Sequence, residues 1–116
     1  MVLEKVHLEG GYVLLKVVGV IKLGESARFF AQALENVLSE ESGHVLLDLS
    51  GIDGIDSTGI GELVGYLGRF GEAHRRLLLI RPSERIVKLL EVAQLRSLFP
   101  VFDSVEEALA AQPTQA

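Results

Sequence analysis

"VLLDLSGIDGIDSTGIGELVG", Val45 to Gly65, changes its structural period part-way along and so decides the architecture. Val45, Leu46, Leu47 and Leu49 form an almost unbroken apolar run in which Asp48 is the only charge. Such a run suits a strand covered on both faces, as in a parallel or mixed sheet. "SGIDGI" then reads as a loop, because clustered Gly and Asp are turn signals. From Ser57 to Ala73 the apolar residues Ile60, Leu63, Val64, Leu67 and Phe70 fall at helical spacing. A buried strand leading into a helix is the unit from which α/β sheets are built.

The flanks follow the same logic. Val2 to Leu8 and Tyr12 to Val20 read as two strands of an antiparallel hairpin around the turn Glu9-Gly10-Gly11. After "KLGES", Ser26 is the expected N-cap of a helix with Ala27, Phe30, Ala31, Leu34, Val37 and Leu38 inward, closed by Ser42-Gly43. Leu77 to Ile80 is a further buried strand. Pro82-Ser83 opens a third helix with Ile86, Leu89, Leu90 and Ala93 inward. Val101-Phe102 is a brief strand, and "SVEE", Ser104 to Glu107, is a capping box for a last short helix. The expected order is β-β-α-β-α-β-α-β-α: a single α/β domain whose mixed sheet, an opening hairpin followed by parallel strands, is covered by about four helices. Residues 1–111 form the domain and 112–116 a C-terminal tail.

Bulk properties narrow the function. A chain of 116 residues, 48% of them hydrophobic, supports one well-buried core. The most apolar window, "YVLLKVVGVI", is broken by Lys16 and is far short of the roughly 20 residues of a membrane span. The start, "MVLEKVHLEG", lacks the features of a secretion signal. With no Cys and no targeting segment in view, a cytoplasmic location is the expectation, without membrane insertion. The net charge of −5 opposes binding to nucleic acid. The basic cluster "HRRLLLIRPSER", 74 to 85, reads as a strand with solvated charged ends.

Enzymatic readings fail on their required residues. A phosphate-binding loop needs a lysine after its glycines, and none stands between Arg28 and Arg69. A nucleophile elbow needs Gly two places before the Ser, where Ile55 stands. His7, His44 and His74 are scattered, and with Asp48, Asp53 and Asp56 they match no metal-ligand spacing. "DLSGIDG", 48 to 54, is similar to the phospho-aspartate stretch of receiver domains, but the acidic pair and late lysine of that site are missing. Neither a cofactor nor a metal is expected, and the protein is not expected to be an enzyme.

The junction itself holds a surplus. Asp56, Ser57 and Thr58 all have side chains that cap helices, and one suffices. If Asp56 caps, the Ser57 hydroxyl is left over at the helix mouth; alternatively Ser57 or Thr58 is the cap and Asp56 ends the loop. Gly59, Gly61, Gly65, Gly68 and Gly71 also crowd this helix, where each interior glycine costs up to about 1 kcal/mol relative to Ala. Ser57, Gly61, Gly65 and Gly68 share one side of it. Close packing on the sheet is one explanation. A bare strip open to another protein's backbone is the other.

With those residues in view, Val45 to Gly65 resembles the signature of the STAS domain of bacterial anti-anti-sigma factors, in which a strand and loop lead into Asp-Ser-Ser/Thr-Gly-Leu-Gly. The similarity extends from the opening hairpin through "RPSERIVKLLEVAQL", 81 to 95, to the final helix. The resemblance implies a STAS-type fold and a switch. It makes Ser57 the phosphoacceptor, with Asp56, Thr58 and Gly59 completing the motif and Gly61, Glu62, Gly65 and Lys22 on the partner-binding surface. It implies an anti-sigma factor that is also a serine-protein kinase as the partner, sequestered by the unphosphorylated form, and a serine phosphatase that resets the cycle. A STAS adaptor subunit of a signalling scaffold or lipid-trafficking complex, working by binding alone, is the alternative. Where many members have Gly-Glu-Leu-Asp after the second strand, this chain has Gly19-Val20-Ile21-Lys22, so the charge at that place is reversed. A phosphate adds about −1.5 to −2 charges at pH 7. If it costs an interface roughly 3 kcal/mol, binding falls about a hundredfold.

Overall fold

A computed structural model describes residues 1–111; the tail expected at 112–116 lies outside the described residues. Five strands, β1 (Val2–His7), β2 (Val13–Ile21), β3 (Val45–Ile55), β4 (Leu77–Ile80) and β5 (Val101–Phe102), lie side by side in their chain order. β1 pairs antiparallel with β2, and all later pairings are parallel. Four helices complete the fold: α1 (Glu25–Glu40), α2 (Ser57–Glu72), α3 (Glu84–Val92) and α4 (Val105–Ala110).

This order explains the layering. When consecutive parallel strands are neighbours and their crossovers share one hand, the connecting helices all fall on one face of the sheet. Val13, Leu15 and Val17 of β2 and Val45, Leu47 and Leu49 of β3 point to that face, where they pack with Phe30 and Leu34 of α1, Leu63 and Phe70 of α2, and Ile86 and Leu90 of α3. Burying each such side chain contributes about 1.5–3 kcal/mol. On the other face, Leu46, Leu78 and Ile80 meet α4 through Ala108. β4 is therefore buried at all four positions, as its unbroken apolarity implied.

Four expectations need correction. "SGIDGI" is not a loop: β3 continues to Ile55, pairing Gly51 with Val18, Ile52 with Gly19 and Ile55 with Ile21 through two irregularities in register. Gly51 makes the extension possible, since a Cβ there would lie 2.7 Å from Val18 Cγ2. Ser26 does not cap α1. The N-cap is Gly24, at φ 110°, and the Ser26 hydroxyl accepts from the Lys22 amide (3.0 Å) and donates to the Lys22 carbonyl (3.1 Å). Inward positions also shift: Ala33 is buried in α1 with Ala31 only half so, and Ala93, the C-cap of α3, is exposed.

The fourth concerns the basic cluster. Arg75 is not a solvated strand end. Its guanidinium is part-buried and donates to the carbonyls of Gly43 (2.8 Å), Leu38 (2.8 Å) and Val37 (3.2 Å), while stacking over Phe70 at 4.7 Å. Two of those carbonyls belong to the last turn of α1, where helical donors run out; that of Val37 also accepts from the Glu41 amide (3.1 Å). The turn at Gly10-Gly11 presses on the same corner, and a Cβ on Gly43 would collide with the Gly11 carbonyl oxygen. Arg75→Ala is expected to cost about 2–3 kcal/mol of stability, since it removes three hydrogen bonds from a charged donor. Urea denaturation checks this, and a loss below about 0.5 kcal/mol would contradict the clamp.

Candidate functional site

The C-terminal ends of β2, β3 and β4 open onto one end of the molecule, where ligands of parallel sheets bind. Lys22 follows β2, Asp56 follows β3, and Arg85 lies in the first turn of α3 after β4. Asp56 holds the arrangement together. Its backbone amide donates to the Ile21 carbonyl (3.0 Å), extending the β2–β3 ladder by one bond. Its carboxylate accepts from the Leu23 amide (2.8 Å) on the β2–α1 connection and from the Gly59 amide (3.0 Å) in the first turn of α2. Those amides, Leu23 first and Gly59 second, hold its carboxyl below the ordinary aspartate range.

Asp56 is thus the N-cap of α2. Ser57 takes the first helical position, exposed to solvent. Thr58 and Glu62 are half-buried beside it. Gly59 is buried and required: a Cβ there would lie 2.6 Å from Ile55 Cγ1 and 2.7 Å from Ile21 Cγ2. Gly61, Gly65, Gly68 and Gly71 differ. Each is exposed, and a Cβ on any of them would meet nothing within 4 Å. Packing on the sheet therefore accounts for Gly59 alone, and the remaining glycines leave a bare strip along the outside of α2.

Next to the site lies a groove of about 570 Å³ and mixed character, in which Val20, Leu23 and Phe29 stand beside Lys22, Glu25 and Ser26. Leu23 is 77% exposed and Val20 47%, high values for such side chains. Leu23, Phe29 and Arg85 were not singled out from the sequence. For Leu23 and Arg85 the signal lies in the topology, because each becomes a neighbour of Asp56 only once parallel pairing aligns the strand ends. The three histidines lie elsewhere. His7 contacts Glu41 (2.8 Å), His44 Nδ1 accepts from the Arg76 amide (2.9 Å), and exposed His74 ends α2 at φ 58°. Burial, then the charges of Arg76 and Arg75, lower the pKa of His44. Among the described residues no group of His, Asp or Glu is arranged to hold a metal ion. Asp48, the candidate of the receiver-like reading, is engaged by the Ser50 amide (2.9 Å) and hydroxyl (2.7 Å).

Residues 5–108 match the model of the STAS domain. The chain belongs to the STAS domain family. An anti-sigma-B factor antagonist of Staphylococcus epidermidis is 32% identical to it over 87 residues, which is 72% of this chain and 81% of that protein. Among solved structures, an anti-sigma factor antagonist from Mycobacterium paratuberculosis superposes with a TM-score of 0.78 at 19% identity, over 95% of this chain and 93% of that one. The Bacillus cell fate determinant SpoIIAA in its phosphorylated form superposes with a TM-score of 0.72 at 14% identity, over 94% and 97%. At such identities the superpositions establish the STAS fold, with its mixed sheet and helices. No helix among the described residues is long and apolar enough to cross a membrane.

The two classes of glycine give opposite expectations. Gly59→Ala is expected to destabilise the STAS domain by about 1–3 kcal/mol through overpacking. Gly65→Ala is expected to stabilise it by up to about 1 kcal/mol; thermal denaturation of the pair, with equal losses, would refute the distinction. Asp56 adds a pH term. Because its folded pKa is depressed, its contribution is complete above the ordinary value of about 3.9 and fades as pH falls through the lower folded value. Asp56→Asn should therefore flatten the acid limb of a stability–pH curve, and an unchanged limb would show that the two amide contacts are not made in solution.

Proposed function

We propose that this STAS protein is an anti-sigma factor antagonist whose hold on its partner is switched by phosphorylation of Ser57. The observation that carries the reading is the division of labour at the α2 terminus. Asp56 supplies the cap, so the Ser57 hydroxyl is spared and faces solvent. The family match and the Staphylococcus relative support the antagonist role. The partner is an anti-sigma factor with serine-kinase activity, which brings the ATP and the catalytic base. Ser57 Oγ attacks the γ-phosphorus, the bond to the bridging oxygen breaks to release ADP, and the hydroxyl proton passes to the kinase. A serine phosphatase returns the hydroxyl by hydrolysis. The STAS protein is then a substrate and a binding module, not a catalyst, and works in the cytoplasm.

The surroundings of Ser57 fit a docked macromolecule. Thr58 and Glu62 share α2 with the bare glycines Gly61 and Gly65, over which a backbone can approach closely, and Val20, Leu23 and Phe29 in the groove that also holds Lys22 offer apolar area to bury. Adding about −1.5 to −2 charges beside the Asp56 carboxylate raises the cost of desolvating that contact.

The test is incubation with the cognate anti-sigma kinase and ATP, followed by mass spectrometry. Wild type should gain one phosphoryl group and Ser57→Ala none. Ser57→Glu should bind the kinase at least tenfold more weakly, about 1.4 kcal/mol. An unmodified wild type that still binds its partner tightly would replace the switch with a plain adaptor.

A further inference from the structure

Lys22 stands between two residues that both touch Asp56. On one side the Ile21 carbonyl accepts the Asp56 amide (3.0 Å), and on the other the Leu23 amide reaches the Asp56 carboxylate (2.8 Å). Lys22 is thereby pinned next to the residue that precedes Ser57. Arg85 arrives from α3. With Lys22 it lines one open pocket of about 320 Å³, whose other charged residues are Asp53 and Asp56.

The two cations are uncommitted. The ion pairs among the described residues are Lys5–Glu41, His7–Glu41 and Arg69–Glu35, and none involves Lys22 or Arg85. Asp56 is already bound to two backbone amides, so its charge is partly spent there. Glu25 lies in the adjoining groove, and its carboxylate is in none of these ion pairs. As it stands the pocket is close to neutral, with two basic and two acidic side chains. Ser57 directly follows Asp56, so a phosphate on it would add nearly two negative charges beside this pocket and attract both cations, whose N–H donors make their strongest hydrogen bonds to such oxygens.

We infer that Lys22 and Arg85 hold a phosphate on Ser57 in cis. The inference rests on the phospho-switch reading and specifies how the switch works in this chain. While Ser57 is free, Lys22 is displayed in the groove beside Val20 and Leu23. The matching partner surface carries a carboxylate opposite Lys22 and an apolar side chain against Leu23 and Val20. Once Ser57 is modified, its phosphate takes Lys22 away from that carboxylate. Release then comes from competition within the STAS domain as well as from repulsion across the interface.

The experiment installs phosphoserine at position 57 during translation, so no kinase is needed, and follows the phosphate by ³¹P NMR titration. In the otherwise wild-type chain the second phosphate pKa should lie below the usual value of about 6. It should rise by about 0.5 in Lys22→Gln and in Arg85→Gln, and by about 1 in the double variant, as positive neighbours are removed. Lys22→Arg should keep the depressed value, which separates a charge effect from a general disturbance. Both side chains are exposed, so the variants should fold, and amide spectra verify it. Equal pKa values in all forms would overturn cis capture, even if the phosphorylated protein still lost its partner. Failure of the kinase to modify Ser57, by contrast, would count against the switch itself.

Discussion

The carboxylate of Asp56 is the constraint on which the functional end of this molecule depends. By accepting from Leu23 and Gly59 it ties the β2–α1 connection to the mouth of α2. Two elements separated by an entire helix and strand are thus held in register by one side chain. The same commitment releases Ser57 from any structural duty. A cap made by Ser57 itself would have joined modification to helix stability, and each phosphorylation would have had to disturb the fold. Here the hydroxyl is attached to a rigid terminus without supporting it.

The sheet divides the molecule into ends with different tasks. Because β2, β3 and β4 run parallel in chain order, the residues that follow them converge at one end, where Lys22, Asp56 and Arg85 meet. At the opposite end the contacts are structural: Arg75 gathers the carbonyls at the close of α1, and Gly43 makes room for the Gly11 carbonyl. Substitutions of exposed Lys22, Ser57 or Arg85 can therefore alter recognition with little effect on the scaffold, whereas Asp56 and Gly59 at the same end are structural.

Much of this was legible in the residues. The β-branched and aliphatic run of β2, continuous apolarity in β4 and the serines capping α3 and α4 each reflect local physics, and Ser83 and Ser104 do accept from the amides three residues on. The extent of β3 was not legible, because Gly51, Asp53 and Gly54 are turn-formers by composition and become strand only through pairing with β2. Ser26 was misread for a related reason: a hydroxyl near a helix start can serve the preceding turn instead. At the site, the Asp-Ser-Thr motif stood out because it is contiguous. Arg85 and Leu23 did not, since their proximity to Asp56 is created by tertiary structure. The glycines of α2 stayed ambiguous because a one-dimensional pattern shows that they share a side but not what faces it.

That bare side of α2 has a consequence for fidelity. Exposed main chain looks much the same in every relative that presents it, so it permits intimate approach without carrying an address. A cell with several such proteins would need other features to keep its pathways apart. In this chain the side chains around that end, Lys22 among them, are where discrimination between rival visitors would have to reside.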